Sequence, residues 1–168
     1  MSAYIESLSP EEWEEFCAIM LRYHYTAKNF WEVPDEDQGD LGLEFFTIDG
    51  TLYQCYYPDL NVDMATYKRK IQRKITEDLN KLEKYASEIV VLLDDIRVKQ
   101  WVLIIPKLKS KELISHCNKK KKELLKKNLP FIDSNVFQVK IETSASFPEG
   151  ELFAKNIHCK AIDIPLAE

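Results

Sequence analysis

Glu44 and Gln54, two side chains able to hold a hard cation, flank the tripeptide Ile48-Asp49-Gly50. The residues around that turn are apolar and aromatic, and Asp-Gly tolerates positive φ, so positions 39–58 read as two short strands joined by a tight hairpin. Loop length decides whether the acid and the amide can cooperate. A two-residue loop pairs Glu44 with Cys55 and sends Glu44 and Gln54 to opposite faces, because side chains alternate with period two. A three-residue loop, with Gly50 left-handed, pairs Glu44 with Gln54 and builds a site.

Other chemistry-bearing residues stand at helical spacing. Ser9-Pro10-Glu11-Glu12 is a helix start, with Ser9 as N-cap, Pro10 at the first position and Glu12 closing a capping box. Trp13, Phe16, Cys17, Met20 and Leu21 then form one apolar stripe, which places Glu14 at its edge and Glu15 in water. Acids in a first turn also suit the helix dipole without any further role. A second helix begins after Asp63 and runs to about Ile89, its inner face made by Met64, Tyr67, Ile71, Ile75, Leu82, Tyr85 and Ile89. Asp78 falls inside that stripe, and a carboxylate among apolar neighbours needs a partner; Lys74, four residues earlier, is the nearest.

The order acid, hairpin, Gln-x-x resembles the core of the PD-(D/E)xK restriction-endonuclease superfamily, in particular its Mrr-like branch, where a Gly-Asp-x-Gly-x-Asp strand precedes one ending Gln-x-Lys. The matching residues are Gly39, Asp40, Gly42 and Glu44, then Gln54, Cys55 and Tyr56. Pro10, Trp13 and Glu14 match that branch's Pro-x-x-aromatic-Glu helix. Tyr56 departs from the pattern: a phenol donates a hydrogen bond but is neutral near pH 7 and brings no positive charge to a phosphate. Some members keep the lysine on the following helix, a place that Lys74, with Lys70 second, holds here. The resemblance implies Mg²⁺ or Mn²⁺ held by Glu44, the Gln54 side chain and the Cys55 carbonyl, with Glu14 orienting a water and Asp40 either a further acid or a loop-shaping residue. It implies DNA phosphodiesters as substrate. The Gln-Cys-Tyr-x-Pro ending is similar to nuclease-like modules attached to large ATPases of bacterial defence systems, so an ATPase or sensor protein is the implied partner, and a homodimer is left open. The competing expectation is the same fold with an eroded site, kept to bind nucleic acid or that partner.

Composition sets the frame. At 168 residues, 45% hydrophobic and 30% charged, the chain has the make-up of a globular domain with room for a real core. No apolar run reaches membrane-span length and no signal-peptide pattern opens the chain, so the expected location is cytoplasmic. Cys17, Cys55, Cys117 and Cys159 show no paired spacing and read as reduced thiols. Residues 1–50 carry twelve acids against Arg22 and Lys28, whereas residues 107–127 carry nine lysines against Glu112 and Glu123. Lys119, Lys120, Lys121 and Lys122 are therefore candidates for nucleic-acid binding, facing an acidic metal site; a solvated helix face is the plainer reading. Neither a phosphate loop nor a nucleophile elbow is present. His116-Cys117 and His158-Cys159 lack a supporting Cys-x-x-Cys.

The remaining elements follow from periodicity. A first strand is expected near Lys28–Val33. Gln100–Pro106 is a buried, parallel central strand. Ser110 caps a helix through Lys127 with Leu113, Ile114, Cys117, Leu124 and Leu125 inward, and Asn135–Glu142 alternates as a strand with one wet face. The sum is an α/β, restriction-endonuclease-like mixed central sheet flanked by helices over residues 1–145. Residues 146–168 form a C-terminal extension, read as an edge strand or a partner-binding arm.

Overall fold

The computed structural model describes residues 3–34 and 41–162. Five strands form one mixed sheet in sequential order: β1 (Phe30–Glu32), β2 (Phe45–Thr47), β3 (Thr51–Cys55), β4 (Gln100–Ile104) and β5 (Gln138–Glu142). The first three are antiparallel, and the last two join in parallel. Parallel neighbours need long crossovers. The first is supplied by α3 (Met64–Lys84) and α4 (Ala86–Leu93), the second by α5 (Lys111–Leu125). These pack on one face, while α1 (Ala3–Glu6), α2 (Pro10–Tyr25) and α6 (Pro148–Ile162) contribute to the other.

Local chemistry starts the helices where expected. Ser9 Oγ accepts the Glu12 N–H at 3.1 Å and Glu12 Oε1 accepts the Ser9 N–H at 2.9 Å, the reciprocal capping box. Asp63 caps α3 through the Thr66 N–H, and Ser110 caps α5 through the Leu113 N–H. The helix expected to reach Ile89 instead turns at Tyr85, and Ile89 and Leu93 are buried by the separate α4. On α5, Leu113, Cys117 and Leu124 face inward, but Ile114 is 42% exposed, one position round from the buried stripe. The C-terminal stretch is α6, not an edge strand; Gly150 lets it lie directly on α2, since a Cβ there would stand 2.7 Å from the Met20 carbonyl oxygen.

Two apolar layers divide along strand parity. Phe46, Leu52, Trp101, Leu103, Val139 and Ile141 face α3 and α5, and Phe45, Tyr53, Cys55, Val102 and Ile104 face α2. Among the described residues no helix is long and apolar enough to cross a membrane.

His116 on α5 bridges to α3, its Nε2 3.2 Å from the Gln72 carbonyl oxygen. Burial, then Lys120, holds its pKa below the ordinary 6.5. The unfolded chain therefore takes up a proton near pH 6.5 that the folded chain resists, so this stabilisation is present above pH 6.5 and is lost as pH falls. His116→Gln, measured by thermal unfolding between pH 5 and 8, is expected to flatten the acid side of the profile; an unchanged acid limb would exclude His116 as its cause.

Candidate functional site at the open end of the hairpin

The hairpin closes with a three-residue loop. Phe45 pairs with Tyr53 and Phe46 with Leu52, and Gly50 has φ +95°. Asp49 accepts hydrogen bonds from the Thr47 and Thr51 hydroxyls, and Gly50 N–H donates to the Thr47 carbonyl at 3.1 Å, which stiffen the turn. This is the longer of the two loops weighed from sequence, and extending its register would set Glu44 against Gln54.

A β-bulge changes the outcome. Glu44 N–H donates to the Tyr53 carbonyl at 2.8 Å although Tyr53 is already the ladder partner of Phe45, so two residues of one strand oppose one of the other. Burial agrees: Leu43 packs in the α3 layer and Phe45 in the α2 layer, although residues two apart in an unbroken strand share a face. The extra residue is Glu44. Its carboxylate lies in the gap where the first strand leaves the second, and Oε1 accepts the Cys55 N–H at 2.8 Å in place of a backbone carbonyl. Because Tyr56 N–H is turned to β4, where it meets the Ile104 carbonyl at 3.0 Å, the backbone groups of Cys55 face this gap.

Glu14 comes from the first turns of α2, where the capped start and the buried Trp13, Phe16 and Cys17 set its angle. Its carboxyl stands close enough to that of Glu44 to oppose its ionisation, and both line one cavity. Burial first, then this contact, pushes the Glu44 pKa up to about 9, opposed by the Cys55 N–H and the charge of Lys74. A cavity of about 560 Å³ opens beside the pair, lined by Glu14, Glu32, Val33, Leu43, Glu44 and Phe45. Behind it the thiols of Cys17 and Cys55 lie against each other, both held protonated chiefly by burial.

On the other face, alternation puts Gln54 between Leu52 and Tyr56 under α3. Gln54 is 1% exposed, and its Oε1 has no hydrogen-bond partner among the described residues. Tyr56 is half-buried, with the Lys74 ammonium 5.6 Å from its ring centroid. Lys74 Nζ also lies 3.3 Å from Asp78 Oδ2, the ion pair expected from spacing. Lys81, 3.6 Å from Asp78 Oδ1, is a second partner that sequence reading passed over although it stands three residues on. The site's floor is tied down by Gly42, whose carbonyl accepts the Trp101 Nε1–H at 2.9 Å.

Glu14, Glu44 and the backbone of Cys55 are thus brought together, with Lys74 near enough to act on Glu44. Gln54 is adjacent along the strand but projects from the opposite face, which corrects the side-by-side pair expected from the register: a bulge adds a residue that pattern alone does not reveal. Lys70 is half-buried, one turn before Lys74 on the same helix edge. Asp40 and Gly39 lie outside the described residues. The lysine run does not face the carboxylates. Lys121 Nζ is 3.3 Å from Oε1 of Gln138, the first residue of β5, so this part of α5 lies at the starting end of the parallel strands, whereas Glu44 sits at the finishing end of β3.

A Mg²⁺ or Mn²⁺ ion takes hard oxygen donors. The Glu14 and Glu44 carboxylates fit that demand; Gln54, from where it stands, does not complete the set. Among the described residues no third His, Cys, Asp or Glu joins them. Comparison with known proteins finds no matching family model, no matching curated protein and no matching solved structure.

Proposed function

We propose that this chain is a nuclease-fold module of the PD-(D/E)xK kind that hydrolyses phosphodiesters of DNA with Mg²⁺ or Mn²⁺, the likeness of its Gln-Cys-Tyr-x-Pro ending to defence-system modules suggesting a prokaryotic defence role. One observation carries the reading: Glu14 and Glu44 line one cavity where a bulged hairpin splays, and Lys74 is near enough for its charge to act on Glu44. The order helix, three-stranded antiparallel meander, crossover helix and parallel strand agrees with it. Glu14 and Glu44 would hold the ion, which when bound polarises phosphate and acidifies water. Glu14, the more exposed of the two, orients the attacking water. Lys74 offers positive charge to the phosphate in the place that Tyr56 leaves neutral.

A binding module is the second reading, favoured by the Lys74–Asp78 contact, which engages the ammonium that catalysis needs. Purified protein incubated with supercoiled plasmid and Mn²⁺, beside Glu44→Ala and Lys74→Met, separates the two. Nicking by the parent chain that disappears in both variants is expected. Intact plasmid with every cation, or nicking that persists in Glu44→Ala, removes the hydrolytic reading and leaves DNA or a partner ATPase or sensor as the ligand.

A further inference from the structure

The lysine run on α5 is not uniform once its neighbours are known. Lys120 is 3.2 Å from Glu123, Lys121 reaches Gln138, and Lys127 is 3.6 Å from Glu83. Lys119, Lys122 and Lys126 instead share an exposed edge with Ser115 and Asn118, around a hollow of about 470 Å³ that also includes the half-neutralised Glu123. Their spacing of three and four residues aligns them along one side of the helix. At 1.5 Å rise per residue the three ammonium groups span about 10 Å, a length over which one strand of nucleic acid presents about three phosphates.

We propose that Lys119, Lys122 and Lys126 form a docking strip for the phosphate backbone of nucleic acid, separate from the carboxylate cleft and able to work without it. Charge and hydrogen-bond donors recur along the strip, and none of the residues lining the hollow is aromatic or aliphatic, the anchors on which protein interfaces depend. A backbone held there is read by charge rather than by base sequence. The strip stands at the far end of the sheet from Glu44, so it anchors a nucleic acid rather than touching the scissile group. This goes beyond the hydrolytic reading and does not require it.

Fluorescence anisotropy with a labelled 20-base-pair duplex and the matching single strand, titrated from 50 to 200 mM KCl, tests the strip. Lys119→Gln/Lys122→Gln/Lys126→Gln is expected to flatten the slope of log affinity against log salt by about 2.7 for duplex, or about 2.1 for a single strand. At the lowest salt it weakens binding by tens of fold, while Lys120→Gln/Lys121→Gln changes either slope by less than one contact. Unchanged melting of both variants excludes a folding defect. The same titration in EDTA, where no cation can occupy the cleft, should keep the parent slope whether or not the parent cleaves with Mn²⁺, so failure of the strip and failure of the cleft are told apart. The assignment is overturned by absence of binding at 50 mM KCl, by an unaltered slope in the triple variant, or by an equal loss in the Lys120/Lys121 variant. Displacement of DNA by polyglutamate at equal charge concentration also overturns it, in favour of an acidic protein.

Discussion

Glu44→Gln is expected to abolish cation-dependent cleavage, by about a hundredfold or more, while making the protein more stable at neutral and alkaline pH. The amide keeps an oxygen for the Cys55 N–H and gains a donor for Glu14, so it relieves the crowding of two carboxyls without opening a cavity. The pH dependence has a definite sign. The Glu44 pKa is raised from 4.5 to about 9 in the folded protein, so between those values the folded chain retains a proton that the unfolded chain has released. Stability therefore falls as pH rises through that window, by at most about 1.4 kcal/mol per pH unit and less because the carboxyl is partly solvated. Urea unfolding at pH 5, 7 and 9 should show this decline in the parent chain and not in Glu44→Gln. Equal profiles would mean that burial and the neighbouring Glu14 do not hold Glu44 protonated, and the reason for placing a cation beside the pair would vanish. Loss of activity with gain of stability is the usual sign of a strained functional group.

Gly42→Ala is expected to destabilise the fold by about 3 kcal/mol, from backbone strain together with a buried donor left unpaired. Gly42 has φ +91°, and a Cβ there would stand 2.5 Å from the Asp78 carbonyl oxygen on α3. Retreat from that clash pulls the Gly42 carbonyl off Trp101, whose indole N–H is buried. The thermal midpoint should fall by roughly 10 °C for a chain of this size. A change under about 1 kcal/mol would show that the backbone relaxes there at little cost. Because Gly42 lies two residues before Glu44, the same substitution displaces the carboxylate, so cleavage by the folded fraction should fall as well.

The two predictions mark what could and could not be read in the sequence. Capped helices, the apolar run at Trp101–Ile105 and the alternation at Val139–Ile141 are local signals, and each produced its element. The Lys74–Asp78 pair was legible because helical spacing dictates it. The direction of Glu44 was not, since it depends on one inserted residue that shows itself only in the strand pairing and in the layers into which Leu43 and Phe45 divide. Composition placed the lysines on an exposed helix, but only the course of α5 beside parallel strands carries them away from the cleft. The C-terminal residues, sparse in helical pattern, form a helix that Gly150 lets pack closely on α2.

The outer strands of the sheet have a consequence for behaviour at high concentration. β1 is three residues long, and β5, five residues long, alternates Gln138, Lys140 and Glu142 with its two buried apolar residues. A short margin and a charged one are poor templates for intermolecular strand addition. Amyloid-like polymerisation of the native protein through either margin is thereby discouraged, and crowding should leave the sheet closed to its own copies.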